Sequence, residues 1–298
     1  MVLGKIIVLL IFVLIIFFSS FDFDLLSGNK YSFSGKIQTD EYHKVEYEKE
    51  LFEAGISSQR KDVSYSGNIK GGIVPHHMLA SRIIADFYYN LSKTEVNTII
   101  ILGPNHYQLN REAPLSSKLP WMANEKIIKT DSLIIDELMN KGLIKIDDQV
   151  LEKDHAIGSH IPFIEYYIPE VKIVPILFSL ETDLDQAYEF ATELEKYSAK
   201  DGVVIVSSVD FSHYLTGSQA RLRDAVTLTA MENFDFERLY SFNSDNLDSA
   251  ASISILLYNM SFLGLTDFSV IENSNSTDIT KNNDYQTTSY FHIMFFDE

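Results

Sequence analysis

A chain of 298 residues, 46% of them apolar, has material for one large hydrophobic core or two small ones, and no internal repeat divides it. Its net charge of −18 and pI near 4.8 argue against a nucleic-acid backbone or an anionic lipid surface as a partner of the folded body. Cysteine is absent, which excludes disulfides, thiolate catalysis and Cys-ligated zinc or iron–sulfur centres.

In chain order, Lys5 is followed by an uninterrupted apolar run, Ile6 to Phe18. The run is short for a spanning helix, which needs about 20 residues, and suits a signal segment, yet no small-x-small cleavage site follows. The expectation is an N-terminal hydrophobic helix within residues 1–21 that acts as an uncleaved anchor, with secretion after cleavage as the alternative. Lys5 then stays on the cytoplasmic side, and the acidic domain lies outside the cytoplasm, with the membrane as a partner through this segment. Residues 22–66 are polar and read as a linker with one helix over Asp40–Ala54, where His43 reads as a surface histidine.

The folded domain is expected over residues 67–298. Gly71-Gly72-Ile73-Val74-Pro75-His76-His77 reads as a short buried strand that stops at two histidines. Ile83, Ile84, Phe87, Tyr88 and Leu91 then recur at helical spacing. Thr98 to Leu102 forms a second strand, ended by Gly103-Pro104-Asn105-His106. Beyond a Pro-containing loop, a helix over Ser132–Lys141 leads to Asp154-His155-Ala156-Ile157-Gly158-Ser159-His160-Ile161-Pro162-Phe163, where Pro162 fits only a first helical turn or a loop. Val171–Phe178 is a strand, and Leu184, Ala187, Tyr188, Ala191 and Leu194 mark an amphipathic helix. Val203–Ser208 is a strand that runs into Val209-Asp210-Phe211-Ser212-His213.

Three helices are expected next, over Ser218–Asn233, Phe236–Phe242 and Ala250–Leu263. A polar loop over Asn273–Asn283 and a closing strand over Tyr290–Phe296 complete the chain. The alternation predicts an α/β three-layer αβα sandwich with a mainly parallel or mixed central sheet. In such sheets ligands sit outside the carboxyl ends of the strands, where His76, His106, Asp210 and His213 fall. Neutral imidazoles with a carboxylate suit a non-haem iron or other divalent-metal site, although no compact metal-binding motif is present.

Taken together and in order, Val74-Pro75-His76, Leu102-Gly103-Pro104-Asn105-His106, the Asp154–Phe163 segment and Ser207-Ser208-Val209-Asp210-Phe211-Ser212-His213 resemble the signatures of the Memo family. Its prokaryotic members are called AmmeMemoRadiSam system protein B, and its fold is similar to that of class III extradiol ring-cleavage dioxygenases. The resemblance covers the chain from about Lys70 onward. It implies that His76 and His106 are metal-site histidines and that Asp210 and His213 are the active-site Asp and His. The third ligand position falls on or near Asp248, which, standing directly before an apolar helix, also fits an N-cap.

With Asp248 as a ligand, His76, His106 and Asp248 make a two-histidine, one-carboxylate set suited to Fe(II) and O₂, with copper less favoured. His213, Asp210, His155 and His160 are then the candidate catalytic residues, His213 first as acid–base group. His77 is a possible auxiliary ligand. The expected function is oxidation of a small organic substrate with a divalent metal, Fe(II). The alternatives are a non-catalytic protein that uses the pocket to bind a metal, ligand or partner, and a metal-dependent hydrolase. The family's Ala-Gly-x-x-Tyr-Pro-like N-terminal segment is missing here, and fold similarity alone does not establish activity.

Overall fold

The apolar runs that precede the site residues become strands. The structure, a computed structural model, describes residues 42–60, 67–282 and 286–297. Its main strands are β1 (Asn68–Val74), β2 (Thr98–Pro104), β3 (Lys172–Phe178), β4 (Val203–Ser208), β5 (Ser269–Asn275) and β6 (Ser289–Asp297). They lie in the order β5-β6-β1-β4-β2-β3, with the short strands Leu115–Ser116, Lys145–Ile146 and Lys129–Thr130 beyond or against β3. β1, β4, β2 and β3 pair in parallel, whereas β6 is antiparallel to β1 and β5 antiparallel to β6, so the central sheet is mixed.

This order places the site. The chain leaves β1, skips one position to form β2, adds β3 outside it, and then inserts β4 between β1 and β2. The carboxyl ends of β1, β4 and β2 are therefore neighbours, and a crevice opens where the winding reverses. His76, Asp210 and His106 each follow one of these three strand ends.

Helices flank the sheet on both faces. The main ones are α1 (Lys49–Ser58), α2 (Ser81–Leu91), α3 (Leu184–Ser198), α4 (Gly217–Glu232) and α5 (Ala250–Phe262). Successive side chains of a strand point to opposite faces, and β2 is buried along its whole length. Ile99 and Ile101 join a cluster with Phe87, Tyr88 and Ile164, and Ile100 and Leu102 join another with Phe190, Leu194 and Ile255. Each such fully buried side chain contributes about 1.5–3 kcal/mol.

β1 is closely covered from both sides. A Cβ on Gly72 would run into the Phe87 ring, and one on Gly71 would lie 2.8 Å from Leu256 and 2.9 Å from the Met260 sulfur. The two glycines let α2 and α5 approach from opposite sides.

Several expectations are corrected by the structure. Among the described residues no helix is long and apolar enough to cross a membrane. The transmembrane reading, the membrane partnership and the anchored or exported localisation are therefore withdrawn. They rested on Ile6–Phe18, a run shorter than a spanning helix needs, and the expected N-terminal helix lies outside the described residues. The polar loop expected at Asn273–Asn283 is in its first part structured: β5 extends to Asn275 and a helix covers Ser276–Thr280. As an edge strand, β5 is partly exposed and carries few apolar residues, so no alternating pattern marks it.

His43 is also not a surface residue. His43–Lys44 pairs with Trp121–Met122, and the His43 ring, 2% exposed, packs tilted against Trp121 at 4.4 Å and shares a 2.7 Å hydrogen bond with Ser117. Its partner strand lies far away in sequence, beyond the reach of local pattern. Helix α1 follows and packs Phe52 edge-on against Phe163 at 5.0 Å.

Candidate metal centre

His76 is placed by a strand end and oriented by Ser208. The Ser208 hydroxyl donates to the Ala156 carbonyl at 2.6 Å, so toward His76 Nδ1, 3.1 Å away, its oxygen can only accept. In the neutral ring the His76 proton is thus held on Nδ1, and Nε2 presents its lone pair once a cation displaces the second proton. His106 is fixed in the same way by a different group. Its Nδ1–H donates to Asp154 Oδ1 at 2.7 Å and its backbone N–H to Asp154 Oδ2 at 2.8 Å, which frees Nε2. A carboxylate or hydroxyl behind a histidine that sets its tautomer is the usual support of a ligating imidazole.

The two free nitrogens face one carboxylate oxygen. Asp248 Oδ2 lies 3.3 Å from His76 Nε2 and 4.0 Å from His106 Nε2. Asp248 does not cap α5. That cap is Ser249, whose side chain accepts from Ser252 N–H. Asp248 is instead tied to Asp210, whose backbone N–H donates to Asp248 Oδ2 at 3.2 Å while Asp248 N–H donates to the Asp210 carbonyl at 3.1 Å. Asp210 Oδ1 accepts the backbone N–H of His76 at 3.1 Å, and its Oδ2 lies 3.7 Å from His76 Nε2.

His155 enters the same cluster. Its ring stacks on His106 at 4.1 Å and meets His76 edge-on at 5.1 Å, and one nitrogen from each of the three histidines lies within 4.8 Å of the others. Two donor sets are thus available around His76 and His106, completed by Asp248 or by His155.

The electrostatics call for a cation here. Burial would pull the His76 pKa down, but the carboxylates of Asp210 and Asp248, helped by Asp154, outweigh it and push it up to about 9. His155 moves the other way, lowered to about 4 by burial and by the neighbouring His76 and His106. Asp248 Oδ1 is enclosed without a hydrogen-bond partner. Facing lone pairs, an unpartnered carboxylate oxygen and clustered negative charge fit a divalent ion.

The remaining predicted residues are spread around this cluster. His160 is fully buried, with Nδ1 at 3.0 Å from the Tyr88 hydroxyl, an enclosed and unpartnered Nε2, and a pKa lowered to about 3 by burial and by His76. His213 sits in the loop after β4, its Nδ1 enclosed and unpartnered, and its backbone N–H donates at 2.9 Å to the Ser244 carbonyl in the loop that leads to Asp248. His77 turns instead to the Tyr290 hydroxyl, 2.6 Å from its Nδ1.

Sequence reasoning overlooked Asp154 and Ser208. Asp154 stands directly before His155 in the quoted motif, and Ser208 is a polar residue at the end of an otherwise apolar strand. Both positions carried a signal.

A family profile described as Memo-like protein matches residues 48–294. The chain belongs to the Memo family. A MEMO1 family protein of Pyrobaculum aerophilum is 24% identical over 241 residues, covering 77% of this chain and 84% of that protein. One from Aquifex aeolicus is 25% identical and covers 76% and 85%. One from Sulfurisphaera tokodaii is 31% identical over 57% of this chain and 62% of its own length. Among solved structures, an uncharacterized Escherichia coli K12 protein superposes with a TM-score of 0.51 at 8% identity, over 75% of this chain and 98% of that one, a likeness of fold alone.

Proposed function

We propose that this Memo-family chain holds a divalent metal, Fe(II), between His76, His106 and Asp248, and oxidises a small organic molecule of catechol type in the adjoining pocket of about 570 Å³, whose lining includes His106, Asp248, Phe178 and Tyr240. The observation that carries this reading is the convergence of two tautomer-fixed Nε2 atoms on one carboxylate oxygen, at 3.3 and 4.0 Å. Two histidines and a carboxylate on one side of an ion leave open positions, at which Fe(II) supplies oxygen activation. The chain's own groups do the rest. His213, bonded through its backbone N–H to the carbonyl of Ser244 at the pocket, is assigned the acid–base role toward a substrate hydroxyl. Asp210 positions His76 through the backbone and Asp248 through its own N–H. His155, stacked on His106, walls the site, and His160 backs it.

The experiment is metal analysis of the purified protein beside His76→Ala and Asp248→Ala, followed by anaerobic Fe(II) loading and oxygen uptake with 4-methylcatechol. Stoichiometric iron lost in both variants, and uptake only in the intact protein, are expected. No stoichiometric divalent metal in the intact protein would end the proposal.

A second reading follows from the His76, His106 and His155 cluster. Three histidines with an open fourth position suit zinc and an activated water, and so a hydrolase. Zinc retained in Asp248→Ala but lost in His155→Ala, together with turnover of ester substrates, would favour it over the iron centre.

A further inference from the structure

Asp224 is a buried carboxylate outside the metal centre. It lies on α4, is 1% exposed, and accepts from three neutral donors: the Ser212 hydroxyl at 2.8 Å and the Ser289 hydroxyl at 2.6 Å on Oδ1, and the Asn273 amide at 2.9 Å on Oδ2. Arg221, one turn earlier on the helix, pairs with Asp278 at 3.2 Å, so among the described residues no Lys or Arg forms an ion pair with Asp224. Burial lifts its carboxyl above the usual range, although the three bonds pull the other way. A charge buried without a counter-charge is costly.

One of the three donors belongs to the segment that carries the site. Ser212 is fully buried and stands between Asp210 and His213. This turn is stitched to the segment that ends in Asp248. Asp248 N–H donates to the Asp210 carbonyl at 3.1 Å, Phe211 bridges to Leu247, and His213 N–H donates to the Ser244 carbonyl at 2.9 Å. A tilt of the turn is therefore carried into Asp248, whose Oδ2 also accepts the Asp210 N–H at 3.2 Å. On its other side the turn exchanges backbone bonds with Ser289, at 2.9 and 3.0 Å, and Asp224 Oδ1 clamps the hydroxyls of Ser212 and Ser289 together.

The turn is also strained. Tyr214 has a φ of 57°, in the left-handed region that a bulky side chain rarely adopts, and it is 74% exposed, so its own packing does not hold it there. Such a conformation persists only where the surroundings over-determine it. Ser212, two residues before, supplies a buried side-chain anchor, and Leu215, one residue after, accepts the Thr287 N–H at 2.9 Å.

We infer that Asp224 is a positioning residue of the metal centre: through the Ser212 hydroxyl it fixes the tilt of the Asp210–His213 turn, and through that turn the place of Asp248 against His76 and His106. It touches neither metal nor substrate. This rests on the metal-centre reading above and adds a residue to that site.

Ser212→Ala and Asn273→Ala each remove a donor from the same carboxylate, but only the first cuts its connection to the turn. Fe(II) affinity is measured anaerobically by chelator competition, and the visible absorption of Co(II)-loaded protein, which follows the arrangement of the ligands, is recorded beside it. Ser212→Ala should bind Fe(II) at least about fivefold more weakly, near the lower end of what outer partners of ligands contribute, and shift the Co(II) bands. Asn273→Ala should stay within about twofold of the parent and keep its bands. Asp224→Ala should weaken binding at least as much as Ser212→Ala, and adding Ser212→Ala to it should cost less than about a further twofold, because the path is already cut. Should Asp224→Ala not fold, the two milder variants decide alone. Ser212→Ala indistinguishable from the parent, Asn273→Ala weakened as much as Ser212→Ala, or additive losses in the double variant each overturn the inference and leave the metal-centre reading standing. If the intact protein binds no Fe(II), the metal-centre reading fails and this inference falls with it.

Discussion

Asp154 grips His106 twice, with Oδ1 accepting from the ring Nδ1–H at 2.7 Å and Oδ2 from the backbone N–H at 2.8 Å. Burial would raise the Asp154 pKa, but these bonds, the charge interaction with His106 and the Ala156 N–H outweigh it and hold the carboxyl below its usual range. A charged acceptor behind Nδ1 is what keeps the lone pair on Nε2.

Asp154→Asn keeps the shape and removes the charge. The His106 proton is then free to move to Nε2, the atom that faces Asp248. Metal affinity should fall about 10–100-fold, the usual effect of losing such a support. Competition against a chromophoric chelator measures it, and unchanged affinity would mean that Asp154 only holds the loop.

Metal uptake should depend steeply on pH. With its pKa pushed up to about 9, metal-free His76 carries a proton at neutral pH, and a metal must displace it. The sign follows: as pH falls below about 9, the proton competes better, and the apparent affinity drops by up to tenfold per unit. Asp210→Asn removes one of the charges that raise His76, so the region of steep dependence should shift to lower pH. Affinity titrations from pH 6 to 9.5 check this; identical profiles for both proteins would refute it.

Glu165 offers a contrast, a buried carboxylate that builds structure alone. Its Oε2 accepts from the N–H groups of Ala123 and Asn124 at 3.0 and 2.8 Å, and its Oε1 from Glu125 and Lys126 at 2.7 and 3.0 Å. Glu165→Gln puts an NH₂ group against donors and should cost about 1–3 kcal/mol of stability. Denaturant unfolding reads that loss. Metal affinity should remain that of the intact protein, which separates this variant from Asp154→Asn.

The reach of sequence reasoning can be traced residue by residue. β1 to β4 were readable because each is built on a short apolar run, and His76, His106 and Asp210 could be placed together at the strand ends because each stands just past such a run. β5 was not, since an edge strand needs no apolar face. Nor were the pairing of His43 with Trp121 and the hold of Ser208 on His76, which join segments 78 and 132 residues apart. The membrane assignment came from residues 6–18, a stretch too brief to span. Of the two roles open to Asp248, the structure gives the helix cap to Ser249.

The last prediction concerns acid stability. His160 and His292 are fully buried, and burial, aided by His76 for the first and by Arg82 and Arg60 for the second, lowers both pKa values to about 3. Neither His292 nitrogen has a hydrogen-bond partner. In the unfolded chain both rings titrate near 6.5. Stability is therefore undiminished above pH 6.5 and is lost as pH falls toward 3, because only the unfolded chain takes up the protons. Each histidine contributes a slope approaching about 1.4 kcal/mol per pH unit. His292→Leu removes one of them. Denaturant titrations of metal-free protein between pH 6.0 and 5.0 should show the variant losing about 1 kcal/mol less than the parent over that unit. The carboxylates that titrate in the same range are common to both proteins, so the difference isolates His292, and parallel losses would show that its ring is protonated in the folded state.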